Sequence, residues 1–208
     1  MIAKRYRLKI RFTEPLLGTV AKSETLYSEY IASKVLKRRE DGALLSEAAA
    51  IALGEEEIET VPESTEKGWT GFHTDQDGPF MYDYQVKGFL KEAANLCKDF
   101  PDIKIKALKS KIDNFVYVFP RRLRLPAIET EPLERPLRAM TMQGPRVTLV
   151  RSDQIAAGGV LECELRVLPL AGLTEQLLRS LLEFGEYKGL GQWRNGSYGR
   201  FVYELEAL

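Results

Sequence analysis

A run near the end of the chain, G-L-G-Q-W-R-N-G-S-Y-G from Gly189 to Gly199, holds residue types that bind anions and flat rings. Glycines stand at 185, 189, 191, 196 and 199, with Lys188, Arg194 and Arg200 among or beside them. Glycine lets the backbone turn through positive φ and come close to another chain or ligand. N–H groups exposed in such a turn favour anions, and nearby cations reinforce them. Trp193 and Tyr198, set between the cations, offer surfaces on which a base can stack. The combination reads as a candidate nucleic-acid contact centred on Lys188, Gly191, Trp193, Arg194, Gly199 and Arg200. The other reading is a tight irregular loop anchored by a buried Trp193.

The one histidine, His73, sits in G-F-H-T-D-Q-D-G. General acid–base work needs a pKa near 7 and a positioned partner. Asp75 or Asp77 would orient the ring or hold a metal. A lone loop histidine is more often a surface or structural residue, so His73 stands as a candidate only and no catalytic residue is assigned. The chain lacks a P-loop, an H-E-x-x-H pair and a cysteine pair. G-L-G-Q-W-R leads into a strand, unlike a dinucleotide loop, which opens a helix. Cys97 and Cys163 lie far apart in apolar runs and read as small core residues. Neither a cofactor nor a metal is expected.

These residues need a scaffold, and 208 residues allow a sizeable core. Lys plus Arg and Asp plus Glu are equal at 30 each, so any nucleic-acid contact must rest on a local patch. One such patch is visible in K-R-Y-R-L-K-I-R-F, residues 4–12. Tyr6, Leu8, Ile10 and Phe12 alternate with Arg5, Arg7, Lys9 and Arg11, which predicts a strand with one buried face and one basic face. That face either meets phosphate or is paired by neighbouring Glu. The N-terminus carries no signal-peptide core, and no apolar run reaches about 18 residues. A cytoplasmic protein with no membrane contact is expected.

Further along, 23–39 and 46–58 read as helices, the first capped by Ser23, the second ending among Glu55, Glu56, Glu57 and Glu59. Residues 60–80 read as loop or hairpin. Residues 84–98 read as a helix with Val86, Leu90, Ala93, Ala94 and Cys97 inward. Gly88, a poor helix former, suggests close approach of another backbone. I-K-I-K-A-L-K at 103–109 reads as a basic strand or linker. Strands are expected at 114–119, 146–151, 160–168 and 200–206, and a helix capped by Thr174 at 174–184. With 17–80 and 121–150 set aside as insertions, the first helical and acidic, the second extended and basic, the order is strand–helix–strand twice. That is a ferredoxin-like, RRM-like α+β fold: one antiparallel sheet with helices on one face.

At this point the chain resembles the RAMP superfamily of CRISPR systems, most closely its crRNA-coating backbone subunits. The first strand runs into T-E-P-L-L-G-T, similar to the family's strand ending in an apolar-glycine turn. Y-Q-V-K-G-F-L-K at 84–91 resembles the family's lysine-glycine helix start, with Lys87 and Lys91 at the cationic positions. The terminal helix, glycine-rich loop and strand complete the likeness, which covers about half the chain. Asp83-Tyr84-Gln85 stands where the family has proline-glycine, the loop carries a W-R-N insert, and 40–66 is acidic. A stand-alone or mobile-element relative is one reading of those departures.

The resemblance implies a single RAMP-like domain over 1–208 that binds single-stranded RNA and works in antiviral defence. Its implied partners are CRISPR-type effector subunits or copies of itself. RNA contact is expected at Arg5, Arg7, Lys9, Arg11, Lys87, Lys91, Lys188, Gly191, Trp193, Arg194, Gly199 and Arg200. Some backbone relatives cleave RNA with an Asp after the first strand, but Thr13–Ser23 contains Glu14 and no Asp. The alternatives are a protein-interaction module, decoy or inhibitor acting on a CRISPR-type complex, and a metal-independent endoribonuclease using His73.

Overall fold

The computed structural model describes residues 2–23, 68–97, 105–141, 144–170 and 172–208. The chain divides into two compact units. One comprises Met1–Leu17, Phe80–Ile128 and Ile155–Leu208, the other Gly18–Pro79 and Glu129–Gln154.

The first unit holds β1 (Lys4–Phe12), α1 (Asp83–Leu96), β2 (Val116–Phe119), β3 (Val160–Val167), α2 (Glu175–Glu183) and β4 (Phe201–Ala207). The sheet runs β4-β1-β3-β2, with every neighbouring pair antiparallel. This is the ferredoxin-like arrangement, and β1 lies at its centre because its alternation gives one fully apolar edge of side chains. Tyr6, Leu8, Ile10 and Phe12 are all buried. Leu8 is level with Cys163 on one side and Leu205 on the other.

Both helices cover that apolar face. From α1 come Val86, Phe89, Leu90, Ala93 and Ala94; from α2 come Leu177, Leu178, Leu181 and Leu182. Burying each large side chain of this kind contributes about 1.5–3 kcal/mol. Phe201 closes the core, edge-on to Phe12 at 6.4 Å and to Phe89 at 5.1 Å between ring centres. The α2 start is set by Thr174, whose side chain accepts from the Leu177 N–H at 3.2 Å. Arg179 then donates to the Leu205 carbonyl at 2.7 Å and ties α2 to β4.

Three expectations change. Within 103–109, read as a basic strand or linker, the described residues 105–109 form no strand and a helix, Leu108–Phe115, begins, so the strand expected at 114–119 starts at Val116. The alternating Ile and Lys misled because the residues that bury, Leu108 and Ile112, lie four apart on one helical face. Gly88 meets no backbone; a Cβ there would have nothing within 4 Å. His73 lies in a strand and not in a loop: the stretch 60–80, read as loop or hairpin, holds short strands at Trp69–Gly71, His73–Asp75 and Gly78–Tyr82, and Val20–Ala21 is a strand within the 17–80 insertion expected to be helical. The expected helices at 23–39 and 46–58 and the acidic stretch at 40–66 lie outside the described residues, apart from Ser23.

The second unit is held by a buried polar cluster. Trp69–Gly71 runs parallel to the end of Gly144–Ser152, which pairs antiparallel with Leu133–Thr141. Asp153 accepts from Lys22 Nζ at 2.8 Å and from the Trp69 indole N–H at 2.7 Å. Lys22 also lies 4.2 Å over the Trp69 ring. His73, only 1% exposed, belongs to this unit.

Candidate nucleic-acid interface

The sheet face of the first unit that carries no helices holds the cations of β1. Arg5, Arg7 and Arg11 are exposed and Lys9 half-exposed. The strands on either side bring acids to the same face. Arg7 is level with Glu164 and Glu206, and Lys9 with Glu162 and Glu204. Arg5 forks onto Glu164 through two donors at 2.7 and 2.9 Å. Arg7 lies 3.5 Å from Glu206 and Lys9 3.8 Å from Glu204. Arg11 is level with Val160 and Val202, so no acid stands opposite it. The basic stripe is therefore flanked by two acidic ones.

Arg166 of β3 donates its Nε to Glu164 at 2.7 Å as well. Hydrogen bonds from Arg5 and then Arg166 pull the Glu164 carboxyl down to about 2. The Arg166 guanidinium also lies 4.1 Å over the ring of Phe119. Arg5, Arg7, Arg166, Phe119, Glu162 and Glu164 line an open groove of about 760 Å³ on this face. Cys163 sits at its base, buried, its thiol pushed up to about 12 by that burial.

Four of the other expected site residues pair elsewhere. Lys87 and Lys91 of α1 lie 3.8 and 2.8 Å from Asp113 of the helix Leu108–Phe115. Asp113 is held below the usual carboxylate range, chiefly by the Lys91 hydrogen bond. Lys188 and Arg194 both pair with Glu92 of α1, on the helical side of the sheet. The expected cations, Arg200 apart, thus fall into three groups, two of them centred on the single acids Asp113 and Glu92.

The glycine-rich run is tied to the turn after β1. Gly199 N–H donates to the Pro15 carbonyl at 2.9 Å, and Gln192 N–H to that of Leu17 at 3.3 Å. Leu190, Gly196 and Ser197 spend their N–H groups within the run. Gly191 and Gly199 have φ of 79° and 70°. Trp193 is 42% exposed and stacks on Tyr198 at 5.1 Å with ring planes 14° apart. The indole is a surface platform and not a buried anchor. Arg200, beside Gly199, carries a buried Nε with no hydrogen-bond partner among the described residues.

Tyr117 and Phe119 were not among the expected site residues. The signal was in the sequence: in V-Y-V-F, Val116 and Val118 turn inward, so the two aromatics turn out. Among the described residues, no group of three or more His, Cys, Asp or Glu side chains is placed to hold a metal ion. Nor does any described helix have the length and apolarity to cross a membrane.

No family model matches the chain, and no curated protein matches it. Among solved structures, the chain is similar to one from the "Cryo-EM structure of the Type III-B Cmr-beta bound to cognate target RNA", with 10% identity and a TM-score of 0.47. That match covers 99% of this chain, which spans 61% of the other's length. It is also similar to a chain of the "Type IV-B CRISPR Complex", with 11% identity, a TM-score of 0.43, and coverage of 97% of this chain and 90% of that one.

Proposed function

We propose that the chain is a non-catalytic, RAMP-like RNA-binding protein of a CRISPR-type system. In this reading it is one domain with two insertions. Single-stranded RNA lies on the open sheet face at Arg5, Arg7, Lys9 and Arg11, and the glycine-rich run makes a second, separate RNA contact at Trp193, Arg194 and Arg200. CRISPR-type subunits or further copies of the chain are its partners. The observation that carries the reading is the open face itself: four cations in a row on the central strand, with the helices on the other side. The motif likeness at 84–91 and 189–199 supports it. The burial of His73 supports a binding role over an RNA-cleaving one.

The test is the salt dependence of binding to labelled single-stranded RNA. Affinity should fall steeply with salt, and Arg7→Ala with Arg11→Ala should flatten the slope by about 0.7 for each phosphate that the variant no longer neutralises. The RNA should stay intact with and without divalent metal; cleavage abolished by His73→Ala would restore the endoribonuclease alternative. The flanking Glu stripes favour a second reading, a protein-interaction module or decoy acting on a CRISPR-type complex. A face of alternating charges suits a protein surface as well as a polyanion. Binding to a protein partner, with no RNA affinity, would establish it.

A further inference from the structure

The groove on the open sheet face already contains, from the protein's own side chains, both kinds of interaction a nucleotide would make. Phe119 is 38% exposed and its outer surface is covered by a planar cation, the Arg166 guanidinium. Arg5 and Arg166 grip one anion between them, the Glu164 carboxylate. The register places Glu164 level with Phe119, so the gripped anion and the stacked ring are cross-strand neighbours. Directly opposite residues have Cβ atoms about 4.5–5.5 Å apart, and Arg166 spans the two, 4.1 Å over the Phe119 ring and 2.7 Å from Glu164. Tyr117 stays outside the groove: Lys87 lies 4.8 Å over its ring and its hydroxyl donates to the Asn114 carbonyl at 2.9 Å, so Phe119 is the groove's aromatic surface.

We propose that this groove is a subsite for one unstacked nucleotide. Its base takes the place of Arg166 on Phe119, and its phosphate takes the place of Glu164 between Arg5 and Arg166. Glu164 is then an internal competitor that occupies the seat until a ligand arrives. Stacking on an aromatic ring is sequence-tolerant because every base has a flat face. A duplex would not fit, since its bases are already stacked. The ligand chemistry, a planar base carrying a phosphate, is shared by a free nucleotide and by a nucleotide within RNA. The subsite rests on the RNA-binding reading only for the second of these.

The full chain is titrated with AMP and, separately, with a short labelled oligoadenylate, for wild type, Phe119→Leu and Glu164→Gln. Thermal midpoints are recorded alongside. Phe119→Leu should weaken binding by about tenfold or more and leave the salt slope unchanged, because stacking releases no counterion. Glu164→Gln should tighten binding several-fold, because the internal anion is gone. Oligoadenylate bound equally by wild type and Phe119→Leu would overturn the subsite and leave the RNA reading standing. AMP bound through Phe119 with no affinity for the oligomer would uphold the subsite and end the RNA reading. Failure of wild type to bind either would overturn both. Weaker binding by Glu164→Gln would overturn the displacement, showing that Glu164 positions the arginines for the ligand.

Discussion

Arg5 holds Glu164 in a fork, Nε to one carboxylate oxygen at 2.7 Å and a terminal nitrogen to the other at 2.9 Å, across the seam between β1 and β3. Such paired bonds are the stronger kind of ion pair, but this one is open to solvent on the Arg5 side. Its influence is on titration. The Glu164 carboxyl moves from its ordinary 4.5 to about 2. A carboxyl depressed in the folded state stabilises above its unfolded pKa, and that stabilisation is lost as pH falls through the folded value. The thermal midpoint of wild type should therefore exceed that of Glu164→Gln above about pH 5, with the gap closing towards pH 2. Midpoints measured across that range check it; a gap that widens towards acid would contradict the pairing.

Gly191 and Gly88 should respond in opposite directions. Gly191 has φ of 79°, and a Cβ there would lie 2.7 Å from Leu16 Cδ1 and from the Leu17 carbonyl oxygen. Gly191→Val should cost at least about 1–2 kcal/mol from the left-handed backbone alone. Gly88 lies inside α1 with open space around it, so Gly88→Ala should stabilise by roughly 0.5–1 kcal/mol. Denaturant midpoints for the two variants decide both.

Trp193 should matter more for binding than for stability. Its indole is 42% exposed and rests on Tyr198. Trp193→Ala should reduce single-stranded RNA affinity by about 1–3 kcal/mol, the worth of one stacked base. Stability should fall by clearly less than the roughly 3–5 kcal/mol of a buried tryptophan. Thermal midpoint and RNA affinity measured on the same preparation separate the two effects.

In the second unit, Asp153 should be the sensitive residue. It is 6% exposed and takes both the Lys22 ammonium and the Trp69 indole N–H. Asp153→Ala would leave the mostly buried Lys22 charge without its carboxylate, a loss of about 3–5 kcal/mol. Trp69→Phe removes one donor and leaves the ion pair, at about 1–2 kcal/mol. Urea unfolding followed by circular dichroism compares them. Equal effects would show that the indole, not the charge pair, holds the cluster.

The legible parts of this protein are those whose cause is local. The strict alternation of 4–12 is enough to make a half-buried strand, and the same holds for 160–167 and 201–207. The leucines of α2 recur at helical spacing behind a Thr174 cap. Two strand–helix–strand units then leave few ways to close one sheet, and the observed order is the expected one. The glycines at 191 and 199 announce positive φ because few other residues tolerate it. The helix at 108–115 was hidden because its short sequence carries two periodicities, and packing of Leu108 and Ile112 chose between them.

What the sequence could not settle is which charges remain available. It placed Arg7 and Lys9 on one face of a strand, but the register of β3 and β4 set Glu164, Glu206, Glu162 and Glu204 beside them. It placed Arg194 among glycines, but Glu92, about a hundred residues earlier, reached it only through the fold. Lys87 and Lys91 met Asp113 the same way. Backbone preference and the burial of apolar faces act over a few residues and repeat with a period, so a sequence displays them. An ion pair depends on two side chains brought within about 4 Å by the whole chain, and nothing in the spacing of either partner records the other.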